Sequence, residues 1–516
     1  MNIFEWILAC LYIAGGCVLF LYGLNCYWQI YFFQRGKRAL EKQSLEADLI
    51  VEKLWGDPDS LPIITTQIPL FNEYNVAHRI MESVAEIDYP KDRHQIQILD
   101  DSNDETCGLI DQIAATLSGK GHWIEVVRRQ NREGFKAGAL KEGLNQAQGE
   151  FVAIFDGDFV PTPNFLRMTL PLLVNDPGLG LVQGRWTHIN PHENILCRAQ
   201  SVGIDGHFSI EQAARASNDL FLNFNGTAGL WRKQAIFDSG NWQADTLTED
   251  MDLSYRAQLE GWNLTFRTEA VVPAELPSTF TAFKNQQFRW AKGSIQTARK
   301  IFPKVWKSDR SLVARIQAFL HLTHYAIHPV IVLIATLSLP MLFIIPEQLS
   351  LLVRLVGILG ILVAALGPNS LYLVSQRYLY PKDWLRRVCF LPLLTIVGLG
   401  ISVSNSRGVI EGLLGIKSDF VRTPKKGSSH KVRYRAKASW VIGVELFLGV
   451  YCLVSFILHL AYGVWGISPF LLVYTLGYLF VGGRSLLETR QPKPHLGQTD
   501  PQGIPQPNSQ SAGAAG

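Results

Sequence analysis

A handful of short stretches between residues 69 and 290 hold the side chains best suited to chemistry, and carboxylates dominate them. Ile98-Leu99 leads directly into Asp100-Asp101-Ser102, and the apolar run 151–155 leads into Asp156-Gly157-Asp158. Acids just past the end of a buried strand can accept sugar hydroxyls and the polar edge of a base. Acids alternating about a glycine can close on one small divalent cation, magnesium or manganese, which prefers hard oxygens and usually shares its shell with phosphates. Lys136 follows the glycine-punctuated turn Asn131-Arg132-Glu133-Gly134-Phe135 and precedes a helical stretch. Free amides and an ammonium together suit a phosphate there. Thr248-Glu249-Asp250 opens another helical stretch, where acids serve either as dipole partners or as a base aimed into a site. Gln286, Arg289 and Trp290 offer phosphate contacts and an aromatic face, or else make a plain interfacial anchor. Each feature alone is an ordinary surface motif; their repetition at successive strand ends points to one site.

Such stretches need a frame that brings strand ends together. Short apolar runs at 63–69, 96–99, 124–127 and 151–155 alternate with polar, helical-looking segments. That alternation predicts an α/β domain over 60–300 with a mostly parallel sheet covered on both faces. Sites in such sheets gather at the carboxyl ends of the strands, and Pro69-Leu70-Phe71-Asn72-Glu73 stands at the first of them.

The flanks read as membrane segments. Lys plus Arg number 48 and Asp plus Glu 44 among 516 residues, a net charge of +4 with charged residues at 18%. A balance that near neutral predicts no nucleic-acid partner. Residues 1–34 hold an apolar run followed by Arg35, Lys37, Arg38 and Lys42, the order of an uncleaved anchor whose next segment faces the cytosol. A polar connector, 35–59, helical around 39–52, leads into the α/β domain. Within a helical region 301–487, apolar stretches near 319–345, 349–374, 439–461 and 467–483 predict four further crossings. The stretch 388–404 is short and contains Pro392, Gly398 and Gly400. Read as an interfacial or re-entrant element, it leaves the basic loop 407–438 in the cytosol; a sixth crossing would put that loop outside. The tail 488–516, rich in Pro, Gly, Gln and Ser, is expected to be disordered. The seven cysteines show no spacing of a disulfide framework or zinc site.

In this order, between membrane segments, Asp100-Asp101, Asp156-Gly157-Asp158, Thr248-Glu249-Asp250 and Gln286-x-x-Arg289-Trp290 resemble the processive branch of the family 2 glycosyltransferases, the cellulose, hyaluronan and chitin synthases. Phe135-Lys136-Ala137-Gly138, Asp205-Gly206-His207-Phe208, Phe224-Asn225-Gly226-Thr227 and Glu275-Leu276-Pro277-Ser278 look most like the plant cellulose-synthase-like A and C proteins. Those make mannan or glucomannan and the glucan backbone of xyloglucan. The resemblance implies a GT-A nucleotide-sugar-binding domain beside transmembrane helices. By it, Asp101 and the loop with Pro69, Asn72 and Glu73 hold the nucleoside, with Asp100 supporting that edge. Asp158 binds the metal with Asp156 beside it, and Lys136 meets the diphosphate. Asp250 is the general base next to Glu249, Gln286 and Arg289 secure the diphosphate, and Trp290 stacks under the acceptor sugar, framed by Asn225, Gly226 and Thr227. His207 reads as structural. Phe420-Val421-Arg422-Thr423-Pro424-Lys425 resembles the gating loop of cellulose synthase, where Phe420, Thr423 and Lys425 would close over the nucleotide. Arg422 departs from that pattern, standing where the bacterial enzyme has Val.

The implied activity is inverting, processive transfer that uses a divalent cation and builds a beta-1,4-glucan from UDP-glucose. The growing polysaccharide would leave through a plasma (inner) membrane, with room for accessory export proteins. Two alternatives stay open: a beta-1,4-mannan or glucomannan from GDP-mannose, and a single transfer to a membrane lipid. A transporter is disfavoured, because the apolar stretches hold few charges and no inverted repeat.

Overall fold

The computed structural model describes residues 2–344, 351–417, 427 and 439–490. Its sheet contains β1 (Ile64–Leu70), β2 (His94–Asp100), β3 (Trp123–Arg128), β4 (Phe151–Ile154), β5 (Leu179–His188), β6 (Gly229–Arg232) and β7 (Asn263–Ala274), in the order β3-β2-β1-β4-β6-β5-β7. β3, β2, β1 and β4 are parallel neighbours, β6 runs antiparallel to β4 and β5, and β5 pairs β7 in parallel. This is the mostly parallel α/β sheet that the alternation predicts. β2 and β4 flank β1 on opposite sides, so a crevice opens at their carboxyl ends.

β2 is longer than its apolar run, 96–99, for a physical reason. Thr65 stands opposite Gln95 and Gln67 opposite Gln97. Thr65 Oγ1 donates to Gln95 Oε1 at 2.6 Å, and Gln67 Nε2 to Gln97 Oε1 at 3.0 Å, all inside the protein. Polar side chains paired in this way are tolerated in a core, yet they break the hydropathy of a strand. The opposite face, with Ile64, Ile68, Ile96 and Ile98, packs with Tyr74–Ala85 into one apolar core.

The anchor and the connector form one unbroken helix, Ile3–Trp55. Glu5, the acid within the first apolar run, closes a capping box: Asn2 Oδ1 accepts from Glu5 N and Glu5 Oε2 accepts from Asn2 N, both at 2.9 Å. The far half of this helix docks beside β7, where Asp48 pairs with Arg267 at 2.5 Å and Gln43 accepts from Thr265 at 2.9 Å.

Five helices among the described residues are long and apolar enough to cross a membrane: Ile3–Trp55, His324–Ile344, Gly357–Leu379, Trp440–Ala461 and Ser468–Arg490. The start expected at 319 is corrected, because 319–322 belongs to a separate short helix, Leu312–Leu322. Trp384–Gly400 and Ser402–Leu414 are bent by 47° at a break, a geometry shared by a re-entrant element and a broken span; the loop expected from 407 is corrected, because 407–414 belongs to the second of these helices.

Helix Phe280–Lys307 joins the two halves. Glu488 caps its start, accepting from Phe280 N at 2.8 Å and Thr281 N at 2.9 Å; the disordered tail expected from 488 is corrected, because helix Ser468–Arg490 includes 488–490, and 491–516 lie outside the described residues. Lys284 pairs with Glu445 at 2.9 Å, their side chains 9% and 0% exposed, and Lys292 pairs with Glu411 at 2.8 Å. Gly408 and Gly412 let Ser402–Leu414 lie directly against this helix, since an added Cβ would come within 2.9 Å of Phe288 O and Lys292 O. Removing one partner of a buried ion pair costs about 3–5 kcal/mol, whereas replacing both by apolar groups is often neutral. Glu445→Leu should therefore lower the melting temperature of the detergent-solubilised protein by several degrees, and Lys284→Met combined with it should recover most of the loss. A melt unchanged by Glu445→Leu contradicts the burial of this pair.

Candidate active site

The carboxyl ends of β1, β2 and β4 open on one cleft of about 220 Å³, walled on another side by Gln286, Arg289 and Trp290 of helix Phe280–Lys307. β6 returns antiparallel beside β4, which lays the stretch 225–228 against 155–158. Ala228 N donates to Ile154 O at 2.8 Å, and Asp156 N to Thr227 Oγ1 at 2.9 Å. Lys136, in the first turn of Phe135–Gln146, ties these segments together: its Nζ is 2.5 Å from Asp156 Oδ1 and 2.9 Å from Gly226 O. Gly226 has φ 80°, and a Cβ added there would lie 2.9 Å from Asp250 Oδ2.

Glu249 and Asp250 begin helix Glu249–Leu259, where Asp250 Oδ1 accepts from Met251 N at 2.8 Å. The chain leading into them is held by helix Phe280–Lys307. Gln296 Oε1 accepts from Leu247 N at 3.0 Å, and Thr297 Oγ1 meets Thr248 Oγ1 at 3.1 Å.

Charge is crowded here. Burial raises the Asp250 carboxyl to about 7, the adjacent Glu249 adding to the rise and Lys136 opposing it. Glu249 is raised as well, by burial first and against Lys136. Burial works against the Lys136 charge, but Asp156, Glu249 and Asp250 outweigh it and hold the ammonium above its ordinary range. For Arg289 burial wins, lowering the guanidinium despite Glu249, Asp156 and Asp158.

Among the described residues no three His, Cys, Asp or Glu side chains form a ready-made metal cage. Asp156 and Asp158 both line the cleft. One or two carboxylates are the usual protein contribution to magnesium or manganese when phosphate oxygens and water complete the shell, so these residues fit such an ion.

Asp101 lines the cleft and is clasped by Arg129, through Nε at 3.0 Å and Nη2 at 2.5 Å. Nearby, the Arg132 guanidinium stacks 3.3 Å from the centroid of Phe71. Asp100 does not reach the cleft: its side chain is fully buried against Arg128 at 2.8 Å and accepts from Ser102 N at 2.9 Å. Asn72, at φ 52°, ties two loops together through Ser102 and Asn103 and stands outside the lining, as does buried Thr227. Pro69, Glu73, Asn225 and Gly226 line the cleft. His207 binds Glu211 at 2.9 Å and holds Asn225 at 3.0 Å. Phe420, Thr423 and Lys425 lie outside the described residues. Beyond them, Gly427 N donates to Glu275 Oε2 at 3.2 Å at the rim of the cleft.

Sequence reasoning missed Arg129 and Arg132, and also Trp186 and His188, which line the cleft from β5. The available signal for Arg129 was the basic pair it forms with Arg128, the last residue of β3, which stands opposite Asp100. The β5 residues follow the short apolar stretch Leu179–Val182, from which Gln183, Gly184 and Arg185 separate them.

Residues 62–293 match the family described as "Glycosyltransferase like family 2". Glucomannan 4-beta-mannosyltransferase 1 of Cyamopsis tetragonoloba is 34% identical over 473 residues, covering 86% of this chain and 86% of that protein. The chain belongs to the family 2 glycosyltransferases. Glucomannan 4-beta-mannosyltransferase 2 of Arabidopsis thaliana is 34% identical over 391 residues, 73% of this chain and 70% of that protein. Among solved structures, a mannosyltransferase from Pyrobaculum calidifontis in complex with GDP-Man and Mn2+ aligns with a TM-score of 0.47 at 17% identity, over 75% of this chain and 100% of that one. As a family 2 glycosyltransferase the chain is an inverting hexosyltransferase with a GT-A-type domain and a helical membrane region.

The turn at Gly226 yields a prediction for this enzyme. An alanine there must hold a left-handed backbone at a cost of about 1–2 kcal/mol and push its Cβ against Asp250. Gly226→Ala should slow nucleotide release at least about tenfold while lowering the melting temperature by only a few degrees, the shift that about 1–2 kcal/mol makes in a domain of this size. Wild-type turnover in that variant would mean the turn has room that its geometry denies.

Proposed function

We propose that this family 2 glycosyltransferase polymerises beta-1,4-linked mannose, as mannan or glucomannan, from GDP-mannose onto a growing polysaccharide. The observation that carries this reading is the 34% identity to a glucomannan 4-beta-mannosyltransferase across 86% of both chains. The glucan from UDP-glucose expected first from the sequence has no comparable support, and the mannan alternative is the better reading.

Transfer proceeds in one displacement. The acceptor hydroxyl attacks the anomeric carbon from the side opposite the diphosphate; the new C–O bond forms as the bond to the diphosphate oxygen breaks, and that oxygen keeps the electron pair. Asp250 takes the hydroxyl proton, and the single inversion turns an alpha-linked donor sugar into a beta linkage. Asp101 and Arg132 receive the nucleoside end, while Lys136 and Arg289 stabilise the charge developing on the departing diphosphate. Asp156, Asp158, Glu249 and Asp250 line the cleft together with Lys136 and Arg289, so a diphosphate would add negative charge to an already acidic site. A divalent cation held by Asp158 and Asp156 would supply the missing positive charge. Trp290 presents its ring to the acceptor, with Gln286 beside it. With the GT-A domain in the cytosol, the membrane helices would conduct the polymer across the bilayer.

The deciding experiment incubates the full chain in lipid with labelled GDP-mannose or UDP-glucose and digests the product with linkage-specific hydrolases. Polymer from GDP-mannose that a beta-mannanase degrades is expected; polymer from UDP-glucose alone overturns the donor. Asp250→Asn keeps the shape and removes the base, so turnover should fall by about 10²–10⁴ while donor affinity moves by less than about tenfold. Only ionised Asp250 accepts a proton, and its carboxyl sits at about 7. The transfer rate should therefore climb about tenfold from about pH 6 to about pH 8 and then level off; a flat profile removes Asp250 as the titrating base. Asp158→Asn should lose turnover by a similar order, and excess manganese should restore little.

A further inference from the structure

The helix after β5, residues 195–216, changes pitch at His207–Gln212, where it makes one π-helical turn. Such turns are rare and recur at functional sites. In an ordinary α-helix residue i+5 lies about 140° round from residue i, whereas bonds from i to i+5 close that gap, so Glu211 and Gln212 both stand one turn along from His207 on its own face. Membrane helix Gly357–Leu379 braces this segment through Gln376, which donates to Asp205 at 3.1 Å, and Ser375, which meets Ser209 at 2.9 Å. What the turn holds is Asn225. Gln212 Nε2 donates to Asn223 O at 2.8 Å, which fixes the sense of its amide, and the same nitrogen donates to Asn225 Oδ1 at 2.5 Å. Asn225 therefore turns Nδ2 toward His207, and His207 Nε2, 3.0 Å away, accepts. Burial works against the charge of Glu211, but His207 and Arg215 outweigh it and bring the carboxyl down to about 2. Being ionised it only accepts, so His207 Nδ1 carries the proton and donates to it at 2.9 Å. Each bond sets the direction of the next.

The amide so aimed lines the cleft, and Asn225 is half-buried between two buried neighbours, Phe224 and Gly226. One Nδ2 hydrogen and one Oδ1 lone pair remain to it without a partner among the described residues. Its position says what meets them. A Cβ on Gly226 would touch Asp250 Oδ2, so Asn225 is one residue from the point where the base must reach the attacking hydroxyl. Past Asn225, the side chains of His207 and Glu211 stay 29% and 31% exposed, although Cys26, Tyr325 and Tyr372, on three different membrane helices, feel the Glu211 charge. Open space thus continues from the cleft toward the membrane helices, the direction that a polymer crossing the bilayer must take. We propose that the Asn225 amide binds the terminal sugar of the acceptor, and that His207 and Gln212, held on one face by the π-helical turn, are positioning residues that aim it. This rests on the reading of the cleft as a polymerising site with Asp250 as its base.

Three variants of the full chain in lipid vesicles test it, given whichever of GDP-mannose and UDP-glucose the wild type polymerises. Water competes with the acceptor for the anomeric carbon, so the readout is the ratio of sugar built into polymer to free sugar released, together with the donor KM. His207→Gln can place an amide oxygen where Nε2 accepts from Asn225; His207→Asn can place an amide nitrogen where Nδ1 donates to Glu211 but leaves Asn225 unheld; Asn225→Ala removes the amide. Losing one neutral hydrogen bond to the acceptor should lower the ratio about threefold to tenfold in His207→Asn and Asn225→Ala, with the donor KM within about twofold of wild type. His207→Gln should stay closer to wild type than His207→Asn. The reverse order would reduce His207 to a support for Glu211 and overturn the inference. A raised donor KM at an unchanged ratio would assign these residues to the donor and overturn it equally. Should His207→Asn fail to fold, Asn225→Ala decides by itself, since a wild-type ratio there removes the contact. Wild type that makes no polymer from either nucleotide sugar would overturn the polymerising reading, and this inference with it; polymer from UDP-glucose alone overturns only the donor and leaves this test intact.

Discussion

The placement of the site depends on helix Phe280–Lys307 being gripped by charge. Glu488, Glu445 and Glu411, on three helices of the membrane region, take up its first amides and two of its lysines. Its other surfaces present Arg289 and Trp290 to the cleft and hold the chain just before Glu249, Gln296 at the Leu247 amide and Thr297 at the Thr248 hydroxyl. An unpartnered charge in such surroundings is strongly disfavoured, so neither half can drift from the other without breaking the pairs. Arg289 and Trp290 thereby sit on an element fixed to the membrane helices, and Asp250, on its own helix, is tied to that element through Leu247 and Thr248.

Within the cleft the balance of charge is reversed, with acids in excess. That excess has a chemical consequence at Asp250. An exposed aspartate, with a pKa near about 3.9, would be a weak base, whereas burial beside Glu249 brings this one to about 7, matched to proton transfer at neutral pH. Lys136 keeps the arrangement from flying apart by joining Asp156 to the carbonyl of Gly226. A diphosphate and its counter-cation would complete what the side chains leave unbalanced.

Asp100 and Asp101 show how neighbouring letters acquire unrelated jobs. Successive side chains at a strand end point to opposite faces; Asp100 is sealed against Arg128 while Asp101 enters the cleft in the grip of Arg129. The same alternation sets Trp186 and His188 together on one face of β5. Buried polar groups are what hid the second half of the sheet: Gln183 on β5 donates to the carbonyls of Thr227 and Ala228 at 3.1 and 3.0 Å, and Arg267 on β7 pairs with Asp48. Hydropathy registers such residues as surface although their partners make them interior.

What the sequence by itself determined is what depends on near neighbours along the chain. Apolar runs that end in acids, a glycine-rich turn before Lys136 and acids opening a helix were legible because strand period, turn chemistry and helix starts are local. So were the apolar lengths of the membrane helices. The donor sugar was not legible, since the same carboxylates and cations would receive any nucleoside diphosphate, and the proposal of mannose rests only on likeness over 86% of the chain. Tertiary structure alone decided which base meets which acid: Lys284 and Glu445 are 161 positions apart, and Asp205 and Arg387 are 182. Such pairs leave no periodic trace in sequence, because their spacing is set by how helices and strands cross in space and by the need of each buried charge for a partner.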